Sequence, residues 1–431
     1  MKRVLALALV ALLAVPAAAA VGTPHATSSN GPAMEAVAPP DTTGPPTDGI
    51  LADPPGATND TTTSNETATA RNQEHNVTRT RLELPDNPRY NVTQPSLDVG
   101  AAIAMGDGGV ASQYHRALAE RRLQETDDVE RLETRLVDAA EVEVERLRDR
   151  ERAAVQAYAT NQITEKTFVR RFVLVSSQAN DLQTELEALK SAVDRRETTL
   201  RIESLLFRLR TFSGVAHTQL ERGVTGHEAL SVSVMATQEG YVLGLLDRSE
   251  GTFYRQAFRF DNRNPNGTVT VETPSNALDR ARTLYPETNT SDVFIPSVYG
   301  ASRAGIYELT VNYPEGSATL FLDAATANVF YEVKQQDLDS LPRSIVFNDT
   351  KADVRVIVER SYPNGPTLVR VQDADTGNPV DGTLTVDGRR IGDVDVDGER
   401  WFVAPPGTYE LSVSRGTTTV NVTLPRSASS S

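Results

Sequence analysis

Between Thr164 and Phe212, the residues Phe168, Phe172, Val175, Ala179, Leu182, Leu186, Leu189 and Val193 step by 4, 3, 4, 3, 4, 3 and 4. An apolar side chain every 3.5 positions specifies a helix packed along a narrow seam, as in a coiled coil. The stretch before it carries Leu118, Val129, Leu132, Leu136, Ala140, Val144, Leu147, Ala154 and Tyr158. Its spacing slips to successive steps of four between Leu132 and Val144, which locally relaxes a left-handed supercoil. Between the two stretches stand Thr160-Asn161-Gln162-Ile163, then Thr164 as N-cap and Glu165 in the first turn. So short a connection makes the arms antiparallel. The pattern predicts a long antiparallel coiled-coil helical hairpin over 112–222, with arms on the order of 70 Å long. Residues 114–212 hold 18 basic and 19 acidic side chains, the balanced charge that seam flanks need.

The rest of the chain is charged differently. Its 431 residues carry a net charge of −15, so nearly all the excess acid lies outside the hairpin. Lysine is almost absent: Lys2, Lys166, Lys190, Lys334 and Lys351 are the full set, and arginine supplies the other positive charges. This balance looks like that of a high-GC halophilic archaeon with a solvated acidic surface, an ordinary high-GC bacterium being the alternative, and it argues against nucleic acid as a partner. Lys2-Arg3, the apolar run Val4–Val15 and the alanines that follow read as a signal peptide over 1–20, too short in its apolar core to span a bilayer. No second run of spanning length follows, so no transmembrane segment is expected after signal removal. The chain has no cysteine, which excludes disulfides and thiol chemistry and removes a lipid attachment point.

Residues 21–79 are rich in Pro, Thr, Ser and Asn and lack aromatics. Such a composition cannot bury enough apolar surface to offset chain entropy and reads as a disordered spacer. Asn-x-Ser/Thr glycosylation candidates fall at Asn59, Asn65, Asn76, Asn91, Asn266, Asn289, Asn348 and Asn421, none of them within the hairpin. Residues 80–111 read as an extended lead-in, lying along the hairpin base or adding an edge to a later sheet, with Gly106, Gly108 and Gly109 before the first helix.

Residues 223–341 alternate between short strands and one helix near Asn276–Tyr285, giving a small α+β domain. Its second half runs from Ala277-Leu278-Asp279-Arg280-Ala281 through Tyr285-Pro286 and Tyr307–Val311 to Leu320–Ala324. This stretch, about 276–334, resembles the PepSY module, a small exported domain with a helix and a strand pair closed by an Asp-Ala-x-Thr-Gly turn. Asp323-Ala324-Ala325-Thr326 fits that turn, but Ala327 stands where the glycine is expected. Residues 342–426 give seven short strands separated by turns such as Asn364-Gly365, Asp387-Gly388 and Asp397-Gly398, the count of a Greek-key β-sandwich. Asp373–Val380, Asp397-Gly398 and Ala404–Tyr409 resemble the carboxypeptidase-regulatory-like, or transthyretin-like, sandwich, which implies a non-catalytic accessory domain. The fold class is multidomain α+β, and residues 427–431 are a tail. The arrangement as a whole resembles exported haloarchaeal proteins of unknown function.

Chemistry-bearing patterns are sparse. Asp393, Asp395, Asp397 and Gly398 imitate the opening of a calcium loop, but its twelfth position is Ala404 in place of glutamate. The alternating Val394 and Val396 favour a strand with solvent-facing acids. His25, His75, His115, His217 and His227 show no metal-ligand spacing. The run Arg146-Leu147-Arg148-Asp149-Arg150-Glu151-Arg152 invites a polyanion, though its interspersed acids favour a solvated helix flank. No nucleophile elbow or nucleotide-binding glycine loop is present, so no catalytic residue, cofactor or enzyme is expected. The expectation is an exported cell-surface interaction protein whose hairpin is a spacer or a self-association element for protein partners. The alternative is a ligand- or peptidase-binding, inhibitory module in 228–340, with an uncharacterised enzyme as a lesser one.

Overall fold

The computed structural model describes residues 80–85, 88–301 and 305–425. The expected signal peptide and spacer, with Asn59, Asn65, Asn76, His25 and His75, lie outside these residues, as does the tail. The helical region corrects the hairpin. It consists of α1 (Val99–Glu125), α2 (Val129–Ala159), α3 (Glu165–Ala192), α4 (Arg196–Leu209) and, after a 3-10 turn at Arg210–Phe212, α5 (Val215–Val224). All eight seam residues are buried, as their period requires. Yet each predicted arm is broken. Asp128 caps a new helix by accepting from Arg131 N at 3.2 Å, and the backbone turns extended at Val193. The partners Arg195–Glu130, Thr198–Glu133 and Arg201–Asp138 show α4 doubling back beside α2. Ser112 against Asp181 and His115 against Glu185 lay α1 along α3. The seam therefore faces three helices, and the 31 residues of α2 span about 46 Å.

The glycines that were expected to precede the first helix lie within α1. A side chain at Gly108 would come within 3.0 Å of Asp181, so a small residue there lets α1 approach α3 closely. The lead-in shrinks to 80–98 and does supply a sheet edge.

Eight antiparallel strands form one sheet in the order β1-β2-β3-β4-β8-β7-β6-β5. They are β1 (Arg89–Thr93), β2 (Leu230–Thr237), β3 (Gly240–Asp247), β4 (Thr252–Arg259), β5 (Phe294–Ala301), β6 (Ile306–Tyr313), β7 (Gly316–Asp323) and β8 (Val329–Asp337). Because side chains alternate across a strand, β2 sends Val232 and Val234 to one face and Met235 to the other. The first face packs Tyr241, Phe258 and Tyr331 against Tyr158, Phe168 and Phe172 of the helices. The second holds α6 (Pro274–Leu284) through Ala277 and Ala281, together with Leu82 from the lead-in.

That lead-in is fastened by buried charge. Glu332 is fully buried and accepts from Arg255 Nη1 (2.6 Å), Tyr285 OH (2.7 Å) and Leu82 N (3.1 Å). Arg255 also donates to Leu82 O, and Lys334 Nζ donates to Thr80 O at 2.5 Å. Glu287 accepts from both Thr80 N and Thr80 Oγ1 at 2.8 Å. Burial alone would raise the Glu332 carboxyl, but the Lys334 and Arg255 charges outweigh it and hold it below its usual range.

The C-terminal region is a sandwich of two four-stranded sheets, β14-β11-β10-β9 and β13-β12-β15-β16. Its strands are β9 (Ser344–Lys351), β10 (Val354–Arg360), β11 (Pro366–Asp373), β12 (Gly382–Val386), β13 (Arg389–Val394), β14 (Glu399–Val403), β15 (Tyr409–Arg415) and β16 (Thr418–Leu424). Val356, Val358, Val371, Leu384, Phe402 and Val413 fill the space between the sheets. The sandwich meets the large sheet through Val403, packed with Leu246, Phe253, Leu338 and Leu341, and Tyr90 donates to Val403 O at 2.7 Å.

Candidate anion-binding pocket

The arginine run on α2 divides between two faces of the helix. Arg146 and Arg150 stay on the solvated flank, each paired with Glu143. Arg148 and Arg152, four residues apart and so on one face, turn toward the sheet. There they line a cavity of about 320 Å³ with Val144, Glu145, Asp149, Arg208, Phe258, Phe260, Arg263 and Pro265. Arg263 is delivered by the turn after β4. Its backbone N–H donates to Phe260 O, Asn262 donates to Val329 O at 2.7 Å, and Thr326 Oγ1 donates to Asn262 O at 2.6 Å.

Three of the four guanidinium groups lie over aromatic rings. Arg148 covers Phe212 (4.0 Å) and Phe258 (4.7 Å), Arg152 covers Phe260 (4.8 Å), and Arg263 covers Phe330 (4.9 Å). Stacking occupies the flat face and leaves the in-plane N–H groups for an acceptor. Arg148 spends part of its charge on buried Glu151 and also donates to Thr211, and Arg208 pairs with Glu145. Among the described residues, Arg152 and Arg263 have no carboxylate within the 4.0 Å of an ion pair. Burial, and then the charges of Arg148 and Arg208, push Arg263 down to about 9. An incoming anion would relieve this crowding.

A larger groove of about 870 Å³ runs between β1 and β13, lined by Asn91, Arg248, Arg390, Asp393, Asp395 and Arg400 among others. Much of its charge is already matched. Asp393 accepts from Arg390 (2.6 and 2.8 Å) and Thr383 (3.0 Å), Asp395 pairs with Arg248 at 3.2 Å, and Asp397 accepts from Glu399 N. The calcium candidates Asp393, Asp395 and Asp397 therefore each keep a separate partner, at the end of β13 and in the turn to β14. The carboxylates that do converge among the described residues are Glu228, Asp247 and Glu250, which no sequence spacing indicated.

The remaining candidates are dispersed. His115 faces Glu185 on the helical bundle, and His227 Nδ1 lies 2.8 Å from Thr225 Oγ1. His217 is buried on Phe172, with ring centroids 4.8 Å apart and planes at 9°. Asn91 donates to Glu165 at 2.6 Å and accepts from Arg389. Asn289 donates to the Arg282 and Pro286 carbonyls, Asn348 accepts from Arg355, and Asn266 and Asn421 are exposed. Among the described residues no helix is long and apolar enough to cross a membrane.

Residues 232–342 match a family of unknown function (DUF7094), and no PepSY family is matched, which corrects that resemblance. Residues 347–422 match the archaeal fibronectin-III type-like domain in place of the carboxypeptidase-regulatory-like one. No curated protein matches the chain, and no solved structure does. Residues 1–229, more than half of the chain, match the domain of unknown function DUF7096, and the chain belongs to that family.

Proposed function

We propose that this chain is an exported, surface-associated interaction protein, not an enzyme, that holds an oxyanionic group of its ligand in the arginine pocket. The observation that carries this reading is the pair Arg152 and Arg263, neither within 4.0 Å of a carboxylate among the described residues, on a cavity that α2 and β4 build together. A chain of net charge −15 repels long polyanions, so a compact phosphate, sulfate or carboxylate group suits the pocket better than nucleic acid. Export rests on the pattern of residues 1–20, glycosylation on the sequons, and the halophilic setting on the acid and arginine balance. The archaeal fibronectin-III type-like match agrees with an archaeal source. The self-association role expected of a bare hairpin loses its support, because the seam is spent inside the bundle. The far face of the 228–340 sheet is covered by α6 and by the chain's own Thr80–Leu84 segment, so the ligand-binding alternative for that region falls on the pocket.

Sulfate and phosphate titrations of the full-length protein at constant chloride would test this. Saturable binding is expected, weakened about tenfold or more in the Arg152→Gln/Arg263→Gln double variant, as the loss of charge-assisted hydrogen bonds implies. No saturable binding of either oxyanion, or equal binding by the double variant, sinks the reading.

A further inference from the structure

Three carboxylates from separate elements meet beside the helical bundle, away from the arginine pocket. Glu228 precedes β2, Asp247 ends β3 and Glu250 lies in the turn to β4, with ligand atoms within 4.8 Å of one another. Like charges this close repel unless something neutralises them. Arg222 of α5 pairs with Glu228, and among the described residues Asp247 and Glu250 have no cation within ion-pair distance. A second observation is independent of the clustering. Asp247 is only 1% exposed, and its Oδ2 is a buried acceptor without a hydrogen-bond partner among the described residues, as is Oε2 of Glu228. A buried carboxylate oxygen without a donor costs free energy that a native structure rarely leaves uncompensated. The other oxygen of Asp247 is fixed by Ser249 N (3.0 Å), Ser249 Oγ (2.6 Å) and Glu250 N (3.2 Å), so the side chain cannot turn away. The neighbouring Gln219 Oε1 is also buried without a partner, and its amide nitrogen donates to Tyr254 OH at 3.4 Å.

We infer that Glu228, Asp247 and Glu250 bind a calcium ion. All the donors are oxygens, which suits a hard cation and not zinc. The set combines a fixed buried aspartate with the exposed Glu250 and admits irregular geometry, which calcium accepts and magnesium does not. The ion would tie the entry of β2 to the β3–β4 turn and neutralise the residual charge. The assignment stands apart from the anion pocket and shares no residue with it.

Terbium is the probe, because Tyr254 OH lies 3.4 Å from Glu250 Oε2 and can sensitise a lanthanide held there. The full-length protein should give tyrosine-excited terbium emission that calcium displaces. Calcium at about 10 mM should also raise Tm by about 2 °C or more, given the affinities of extracellular calcium sites. Glu250→Gln, at an exposed position that leaves the core intact, and Asp247→Asn should each abolish both responses. Asp395→Asn, in the acidic turn of the sandwich, should keep them. Absence of emission and of a Tm shift in the parent protein overturns the site. So does a response that survives Glu250→Gln or disappears with Asp395→Asn.

Discussion

Ala327 adopts φ 55°, a left-handed conformation that costs an L-residue about 1–2 kcal/mol. The surrounding turn is complete: Asp323 Oδ1 accepts from Ala325 N and Thr326 N, and Ala327 N donates to Asp323 O. The same turn is built at Asp373, where Gly377 takes the left-handed place at φ 72°. Ala327→Gly should therefore stabilise the protein by about 1 kcal/mol, read as a higher denaturation midpoint at unchanged slope; a lower midpoint would refute the strain. His217 carries a pH prediction. Burial, and then the Arg148 charge, depress it from 6.5 to about 3, so it is neutral in the fold and protonates more readily when unfolded. Stability from this group is full above about pH 6.5 and declines as pH falls toward 3, by up to about 1.4 kcal/mol per unit. Glu151, raised chiefly by burial, acts in the opposite direction, so the difference between variant and parent isolates the histidine. His217→Phe keeps an aromatic ring against Phe172 and should flatten the loss between pH 6 and 4 by about that slope; parallel curves for variant and parent would count against it.

At the level of elements, period was easier to read than interruption. The 3.5-residue repeat in α3 placed its buried face correctly, because burial depends on which side a residue presents. The breaks at Thr126–Asp128 and Val193–Arg195 escaped, since a helix can double back without changing its apolar phase. Asp128 was the available sign, an N-cap residue inside an apparently continuous helix. Neither family named in the two resemblances is matched, although the β-sandwich expected of the second is present. Asp323 and Asp373 each accept two backbone N–H groups two and three residues on, as Asp337 does with serine at the fourth place, so the Asp-x-x-Thr pattern reports a turn and not a lineage. The arginine pocket was half visible, in the four-residue spacing of Arg148 and Arg152. Arg263 and the Glu228, Asp247 and Glu250 cluster were invisible, because only strand pairing brings them to their places.

Across the molecule, the sandwich and the large sheet share an apolar junction in which Val403, Leu246, Phe253, Leu338 and Leu341 are all buried. Units coupled through a common core melt together. Calorimetry of the full-length protein should show one transition for both, and Val403→Asp, which places a charge in that junction, should split it into two. Two transitions in the parent protein would show the junction to be weak. The clamp on Thr80–Leu84 has a mechanical consequence. Any tension arriving along the polypeptide ahead of Thr80 meets Glu287, Lys334, Glu332 and Arg255 before it reaches the backbone bonds of β1. Freeing the segment would strip Glu332 of its Leu82 N–H partner and open the buried charges to water, so this point yields late. The sheet acts as an anchor block, and the peptide entering it is tethered through buried charge before it reaches β1.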